Sequence, residues 1–257
     1  MNNDKSWRDE FDIIEVDHWE VPDKNDARIL TQPNIVYPLH SLAPRTVLGV
    51  TAWNHIRKAT YAAANNVCEI CGGDHRINAH ELYDIDYAKQ EATFVRTICV
   101  DQVCHQYGIH TGRALTLYKQ GSPLYTKERL LEGAEHCFTI ISSWNREHPE
   151  EEPLRVFSAW LDYLKQPDLE KPMRELIKKY DIKFYKVSEK WWNRKRWSNW
   201  KLRIGNKWYN TPYADRQAWE KAMAAKAKDP HDDHGKKSNL SGGVFDEIDK
   251  FLKENAK

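Results

Sequence analysis

Apolar and polar positions recur along the chain with two different periods, and the places where the period changes outline its elements. From Thr51, "TAWNHIRKATYAAANN" repeats apolar residues at helical spacing through Trp53, Ile56, Ala59 and Ala63. That spacing predicts a helix capped by Thr51 and stopped at Asn65-Asn66. "TKERLLEGAEHCFTIISSWNREH" reads as a long helix from a Thr126 cap to about Arg146. "EPLRVFSAWLDYL" and "DLEKPMRELIKKY" predict two shorter ones, and "IKFYKV" a strand. In "WKLRI" the period is two: Trp200, Leu202 and Ile204 share one face, Lys201 and Arg203 the other. Gly205-Asn206 then predicts a hairpin turn, a second strand and a helix from about Asp215, whose Trp219 and Met223 are expected to cover the apolar face. Before residue 45, Pro22, Pro33, Pro38 and Pro44 break any helix and predict an extended segment. "KDPHDDHGKKSNLSGG" reads as a polar linker and "VFDEIDKFLKENAK" as a short amphipathic helix tethered by it.

Composition narrows the class. A chain of 257 residues, 40% hydrophobic and 30% charged, suits a soluble protein with one large domain or two small ones. No apolar run approaches the roughly 18 residues of a membrane span, and the acidic opening stretch lacks the pattern of a secretory signal. Four of the five cysteines cluster, which fits metal ligands in a reducing compartment better than a disulfide framework. A cytoplasmic location is therefore expected. The net charge of +1 hides an asymmetry: residues 1–30 carry nine acidic and four basic residues, residues 174–208 twelve basic and three acidic. Five tryptophans fall between Trp191 and Trp208. Basic residues interleaved with aromatics form a nucleic-acid footprint, with Arg194, Lys195, Arg196, Trp197, Lys201, Arg203 and Lys207 as the expected contacts. Arginine and tryptophan also dominate protein interfaces, so an acidic protein surface is the competing partner.

The chemistry concentrates in "VCEICGGDHRINAHELYDIDY" and "ICVDQVCHQYGIHTGRA". Cys68 and Cys71 form a C-x2-C knuckle with Gly72-Gly73 allowing the tight turn. Cys99 and Cys104 form a C-x4-C pair after an interval of 27 residues, and four thiolates would complete a tetrahedral zinc site. The histidines need another role. His80 and Glu81 end an expected strand, while His105 and His110 lie on an expected helix near residues 102–110. An imidazole of ordinary pKa near 6.5 suits a general base. His75 is expected in a solvated loop, His136 beside Cys137 in core packing, and His231 and His234 in the linker.

These pieces together, from "PLHSLAPRTVLG" through "AHELYDIDY" to "CHQYGIHTGR", resemble phage and bacterial HNH endonuclease-like proteins over roughly residues 36–118. The resemblance implies structural zinc on Cys68, Cys71, Cys99 and Cys104, His80 as general base, and Glu81, His105 and His110 as ligands of a catalytic Mg²⁺ or Mn²⁺ or as phosphate contacts. Two departures stand out. C-x4-C-H-x4-H is longer than the family's C-x2-C-H-x3-H, and one extra residue turns His110 by about 100° around a helix unless Gly108 absorbs it as a bulge. Phe94 and Val95 stand where an HNH motif has its asparagine. Residues 183–226 are also similar, by residue type, to the DNA-binding domain of ethylene-response factors.

The expected fold is α+β: an acidic extended segment (1–45), a zinc-stapled ββα-metal module (46–122), a helical middle (123–180), a basic sheet-plus-helix module (181–228), a linker (229–243) and a terminal helix (244–257). The expected function is a metal-dependent, phage-encoded nuclease acting in the host cytoplasm, on DNA in preference to RNA. The competing expectation is an inactive HNH-derived protein that binds a host protein through the tryptophan-rich segment or the terminal helix.

Overall fold

The computed structural model describes residues 10–188 and 194–228, with side chains given for all of these except 194–196 and 223–228. The linker, the terminal helix, His231 and His234 lie outside the described residues, as do the side chains of Arg194, Lys195 and Arg196. In chain order the strands are β1 (Ile13–Val16), β2 (His18–Trp19), β3 (Asn78–Asp86), β4 (Glu91–Val100), β5 (Arg155–Phe157), β6 (Lys183–Val187), β7 (Lys201–Ile204) and β8 (Lys207–Asn210). The α-helices are α1 (Pro44–Ala63), α2 (Thr111–Lys119), α3 (Lys127–Glu147), α4 (Pro167–Lys179) and α5 (Arg216–Lys228). The fold is mixed α+β.

Two sheets organise it. A three-stranded sheet in the order β1-β6-β5 is parallel throughout. A five-stranded sheet runs β2-β3-β4-β7-β8, antiparallel except where β7 joins β4 in parallel. The hairpin expected in a separate basic module thus extends the sheet that begins in the cysteine–histidine region. Its apolar face packs there too: Trp200 and Leu202 are buried with Tyr83, Ile85, Tyr87 and Phe94 of β3, β4 and the turn between them, and with Val36 and Leu39. Trp219 of α5 packs instead on Tyr37, at 5.5 Å between ring centroids. Full burial of such side chains stabilises by roughly 1.5–3 kcal/mol each.

A bulge between Leu82 and Tyr83 lets one hairpin serve two cores. Before it, Leu82, Ile98 and Val100 pack in the large core with α3, α4 and Phe184. After it, Tyr83, Ile85 and Phe94 turn to the second cluster.

Local signals held where they were strong. Thr126 caps α3, accepting from Arg129 N at 3.4 Å. Asn65 and Asn66 end α1 with positive φ angles of 52° and 59°. The start of α1 differs: it begins at Pro44 and kinks at Gly49 (φ 83°, ψ 164°) before the stretch expected from Thr51. "RVF" is a strand and Ser158–Lys165 a 3₁₀ segment, where a helix was expected. The N-terminal segment is not simply extended: Ala27–Thr31 and Tyr37–Leu42 are 3₁₀ turns, and Ile29, Leu30 and Leu39 are fully or almost fully buried. Prolines that forbid an α-helix still allow these short turns. Among the described residues, no helix is long and apolar enough to cross a membrane.

Candidate metal centre and imidazole cluster

The C-x2-C knuckle folds back on itself as expected. Cys68 N donates to Gly73 O at 2.6 Å and Gly72 N to Cys68 O at 2.8 Å, with Gly72 at φ +74°. A Cβ on Gly73 would stand 2.6 Å from an Asp101 carboxylate oxygen, so the backbone lies flush against the site.

Asp101, not Cys99, completes the cluster. Ligand atoms of Cys68, Cys71, Asp101 and Cys104 lie within 4.8 Å of one another, a set compatible with a metal such as zinc. Asp101 follows the last residue of β4. Its Oδ1 accepts from Cys104 N at 2.7 Å, which caps the next helical turn, and its Oδ2 accepts from Cys71 Sγ at 3.1 Å. Cys99, two residues back, is not among these ligand atoms. Its backbone docks the knuckle instead: Glu69 N donates to Cys99 O at 2.9 Å, and Cys99 N to Glu69 Oε2 at 2.5 Å. Burial, then Glu69 and Cys68, pushes the Cys99 thiol up to about 11. The second half of this cluster is "DQVC", Asp101-x2-Cys104, with the same spacing as the first knuckle. Counting cysteines alone missed it.

The three thiols crowd one another. Cys68 is driven toward the thiolate by hydrogen bonds from Cys104 and then Cys71, while Cys104 is driven the other way by its hydrogen bonds with Cys68 and then Cys71. Three sulfurs competing for one negative charge is the electrostatic condition that a bound dication relieves. His136 Nε2 stands 3.4 Å from Cys104 Sγ, so this histidine touches the cluster as well as packing in α3.

The imidazoles converge beside this site. His80 is on β3. His105 lies within a π-helical turn, Cys104–Ile109, and His110 ends it; the wide bond runs from His110 N to His105 O at 3.0 Å. A π turn takes in one residue more than an α turn. The extra residue noted in the sequence is absorbed there, and His110 returns to the face of His105. Gly108 makes this possible: a Cβ would meet Cys137 Sγ and Leu30 Cδ2 at 2.8 Å each. Ring centroids are 4.6 Å apart for His105 and His110, 5.2 Å for His80 and His110, and 5.4 Å for His80 and His105. One ring nitrogen from each lies within 4.8 Å of the others, so the three fit a common cation.

All three are held neutral. Burial, then His110 and His105, lowers His80 well below the ordinary value. Burial, then Arg113, brings His105 down to about 4. Burial, then His105, Arg113 and His40, brings His110 down to about 3. Arg113, in the "HTGRA" piece, is thus a cation whose field reaches both His105 and His110, a role that sequence reading did not assign. Glu81 does not join the imidazole set. Side chains alternate along a strand, so Glu81 and its neighbour His80 face opposite ways, and burial raises the Glu81 carboxyl above its ordinary value.

In the basic segment, Trp197 is buried at 6% exposure and cannot meet a ligand without rearrangement. Trp208, 44% exposed, takes that place on the surface. Lys201 Nζ lies 4.6 Å and Arg203 Cζ 5.7 Å from its ring centroid. Lys201 is also paired with Glu91 at 2.9 Å, while Arg203 and Lys207 are exposed. His75 is exposed, as expected.

Compared with protein-family models, curated proteins and solved structures, the chain matches none.

Proposed function

We propose that this protein is a metal-dependent phosphodiesterase acting on nucleic acid, on the ββα-metal plan that its sequence resembles. One observation carries the reading: three neutral imidazoles from β3 and the π turn meet within 4.8 Å, on a turn that starts inside a Cys/Asp metal cluster. In this reading zinc on Cys68, Cys71, Cys104 and Asp101 pins the turn. His105 and His110 hold a divalent cation, His80 takes a proton from water, and Arg113 receives the phosphate. The cation supplies Lewis-acid stabilisation of charge on the phosphate and leaving oxygen. Imidazole donors suit Mn²⁺ or another transition cation better than Mg²⁺. Arg203, Lys207 and Trp208 then bind the nucleic-acid backbone and bases away from the reacting bond. Action in the host cytoplasm of a phage-infected cell, and DNA as the main substrate, belong to the same proposal.

The test is cleavage of plasmid, single-stranded DNA and RNA with Mg²⁺, Mn²⁺, Zn²⁺ or EDTA. Cutting that requires a metal and is lost in His80→Ala supports the reading. No cutting of any substrate with any metal sinks it. A second reading, a non-catalytic binding protein, draws on the absence of Glu81 from the imidazole set. It expects salt-sensitive binding, or capture of a protein, that His80→Ala leaves intact.

A further inference from the structure

Helix α1 is marked by what it lacks. From Ala27 to Cys68 the sequence holds no aspartate or glutamate, although the whole chain has 38 acidic residues against 39 basic ones. α1 lies inside that stretch and carries Arg45, Arg57 and Lys58, all exposed. None of the three forms an ion pair among the described residues; Arg57 lies over the ring of Tyr61 at 5.9 Å. Cations on other helices are answered: Arg174 by Glu170 and Glu10, Lys179 by Glu135, Arg216 by Glu220.

The placement of charge along the helix is also unusual for this fold. α3 opens with Glu128 and closes with Arg146, and α4 opens with Asp168 and Glu170 and closes with Lys178 and Lys179. Those charges offset the helix dipole and stabilise. α1 has no acid in its first turn, where Arg45 stands, and no base in its last. A helix that forgoes this stabilisation keeps a uniformly positive surface, which suits an anion from outside.

Its two faces divide cleanly. Ala52, Trp53, Ile56 and Thr60 are buried. Thr60 Oγ1 lies 2.5 Å from Thr97 Oγ1 of β4, and Ala79 N donates to Tyr61 Oη at 3.1 Å. Ala79 precedes His80, so α1 is anchored to the strand that carries it. The outward arc is Thr51, Asn54, His55, Lys58 and Ala62, at spacings of three and four. Between residues 51 and 62 no large apolar side chain is exposed. A protein interface is centred on apolar and aromatic anchors. This face offers small, polar and cationic groups, which suit phosphates and base edges. A helix about 10–12 Å across also fits the major groove of B-form DNA, about 12 Å wide.

We propose that the outer face of α1 docks in the major groove of double-stranded DNA, with Arg45, Arg57 and Lys58 on the phosphates. This rests on the nucleic-acid reading above and names the surface and the form of the substrate. Through Tyr61 and Ala79 the same helix sets the duplex relative to the imidazoles. Density of charge and tryptophan pointed to residues 194–207 instead, because the cations of α1 are sparse and only the missing acids mark it.

The test is binding of the full chain to a labelled DNA duplex, by fluorescence anisotropy at several salt concentrations with no divalent cation added. In Arg45→Gln/Arg57→Gln/Lys58→Gln the slope of log Kd against log salt is expected to fall by about 2 to 3, at roughly 0.9 per phosphate contact. Lys171→Gln/Lys178→Gln/Lys179→Gln removes the same charge from α4 and should leave the slope alone. An unchanged slope in the α1 variant, an equal fall in the α4 variant, or tighter binding of single-stranded DNA than of duplex would each overturn the proposal. So would binding of polyglutamate but not of the duplex, which would make the partner an acidic protein. If the triple variant does not fold by circular dichroism, Arg57→Gln and Lys58→Gln decide singly, each with an expected fall of about 0.9. Because no cleavage is read, the two readings fail separately. A duplex bound through α1 but never cut removes the nuclease alone; a duplex that is cut, with the slope kept in the α1 variant, removes this surface alone.

Discussion

At Gly108 a single hydrogen atom makes room for the π turn. A Cβ there would overlap Cys137 Sγ and Leu30 Cδ2, whereas a Cβ on Gly112, one turn on, would meet only Asn34 Nδ2 at an ordinary 3.7 Å. Gly108→Ala is therefore expected to lose about 1–3 kcal/mol by overpacking. Gly112→Ala should be neutral or gain about 0.4–1 kcal/mol from reduced freedom of the unfolded chain. Urea titration of the two variants checks the contrast. Asp101 and Cys99 provide a second residue-scale test, because only one of them reaches the thiols. Asp101→Ala should lose bound zinc, measured by elemental analysis of dialysed protein. Cys99→Ala should keep it, and Asp101→Cys should keep it through a second C-x2-C pair. Zinc retained in Asp101→Ala and lost in Cys99→Ala would restore the four-cysteine site. The "DQVC" spacing was there to be read; an aspartate goes unnoticed among so many acidic residues until its Oδ2 is seen against Cys71.

Elements defined by local signals were legible in the sequence. The Thr126 cap starts α3, and Gly205-Asn206 turns β7 into β8. Elements that depend on distant partners were not. "RVF" is a strand because β6 pairs with it, and three residues carry no period that could announce this. The convergence of His80 with His105 and His110 was expected from the resemblance to ββα-metal nucleases, whereas the spacing of His105 and His110 argued against it unless Gly108 absorbed a residue, as the wide turn does. Bringing these imidazoles together has a cost in acid. Each folded-state pKa lies below the ordinary value near 6.5, so the unfolded chain takes up protons first. Stability is fully present above about pH 6.5 and falls as pH drops toward about 4 for His105 and about 3 for His110. The slope is up to about 1.4 kcal/mol per pH unit for each imidazole. Urea midpoints of chelator-treated protein between pH 7.5 and 4.5 measure it. His110→Gln should flatten the slope, and a slope unchanged by that variant would mean that His110 is not held neutral.

Over the whole molecule, the boundaries drawn from composition do not separate its cores. The five-stranded sheet takes strands from residues 18–19, 78–100 and 201–210, and the large core draws on Leu30, Ile98, Phe138 and Phe184 together. Charge and tryptophan density suggested a separate basic module, because composition does not show which strand a hairpin will pair with. A fragment of residues 46–122, the stretch with the HNH-like motifs, lacks the β7 partner of β4 and most of that core. It should show no cooperative thermal transition by circular dichroism, whereas residues 10–228 should unfold in one; a sharp transition in the short fragment would make the module independent after all. The parallel union of β1 with β6, Ile13 beside Phe184, also fixes an order of events during synthesis. A growing chain must present Ile13 to the ribosome's surroundings for most of its translation, because its partner strand emerges so much later. Loop closure over that span is slow. The nascent protein thus spends its longest wait with an unpaired edge, when helper proteins that shield such edges would matter most.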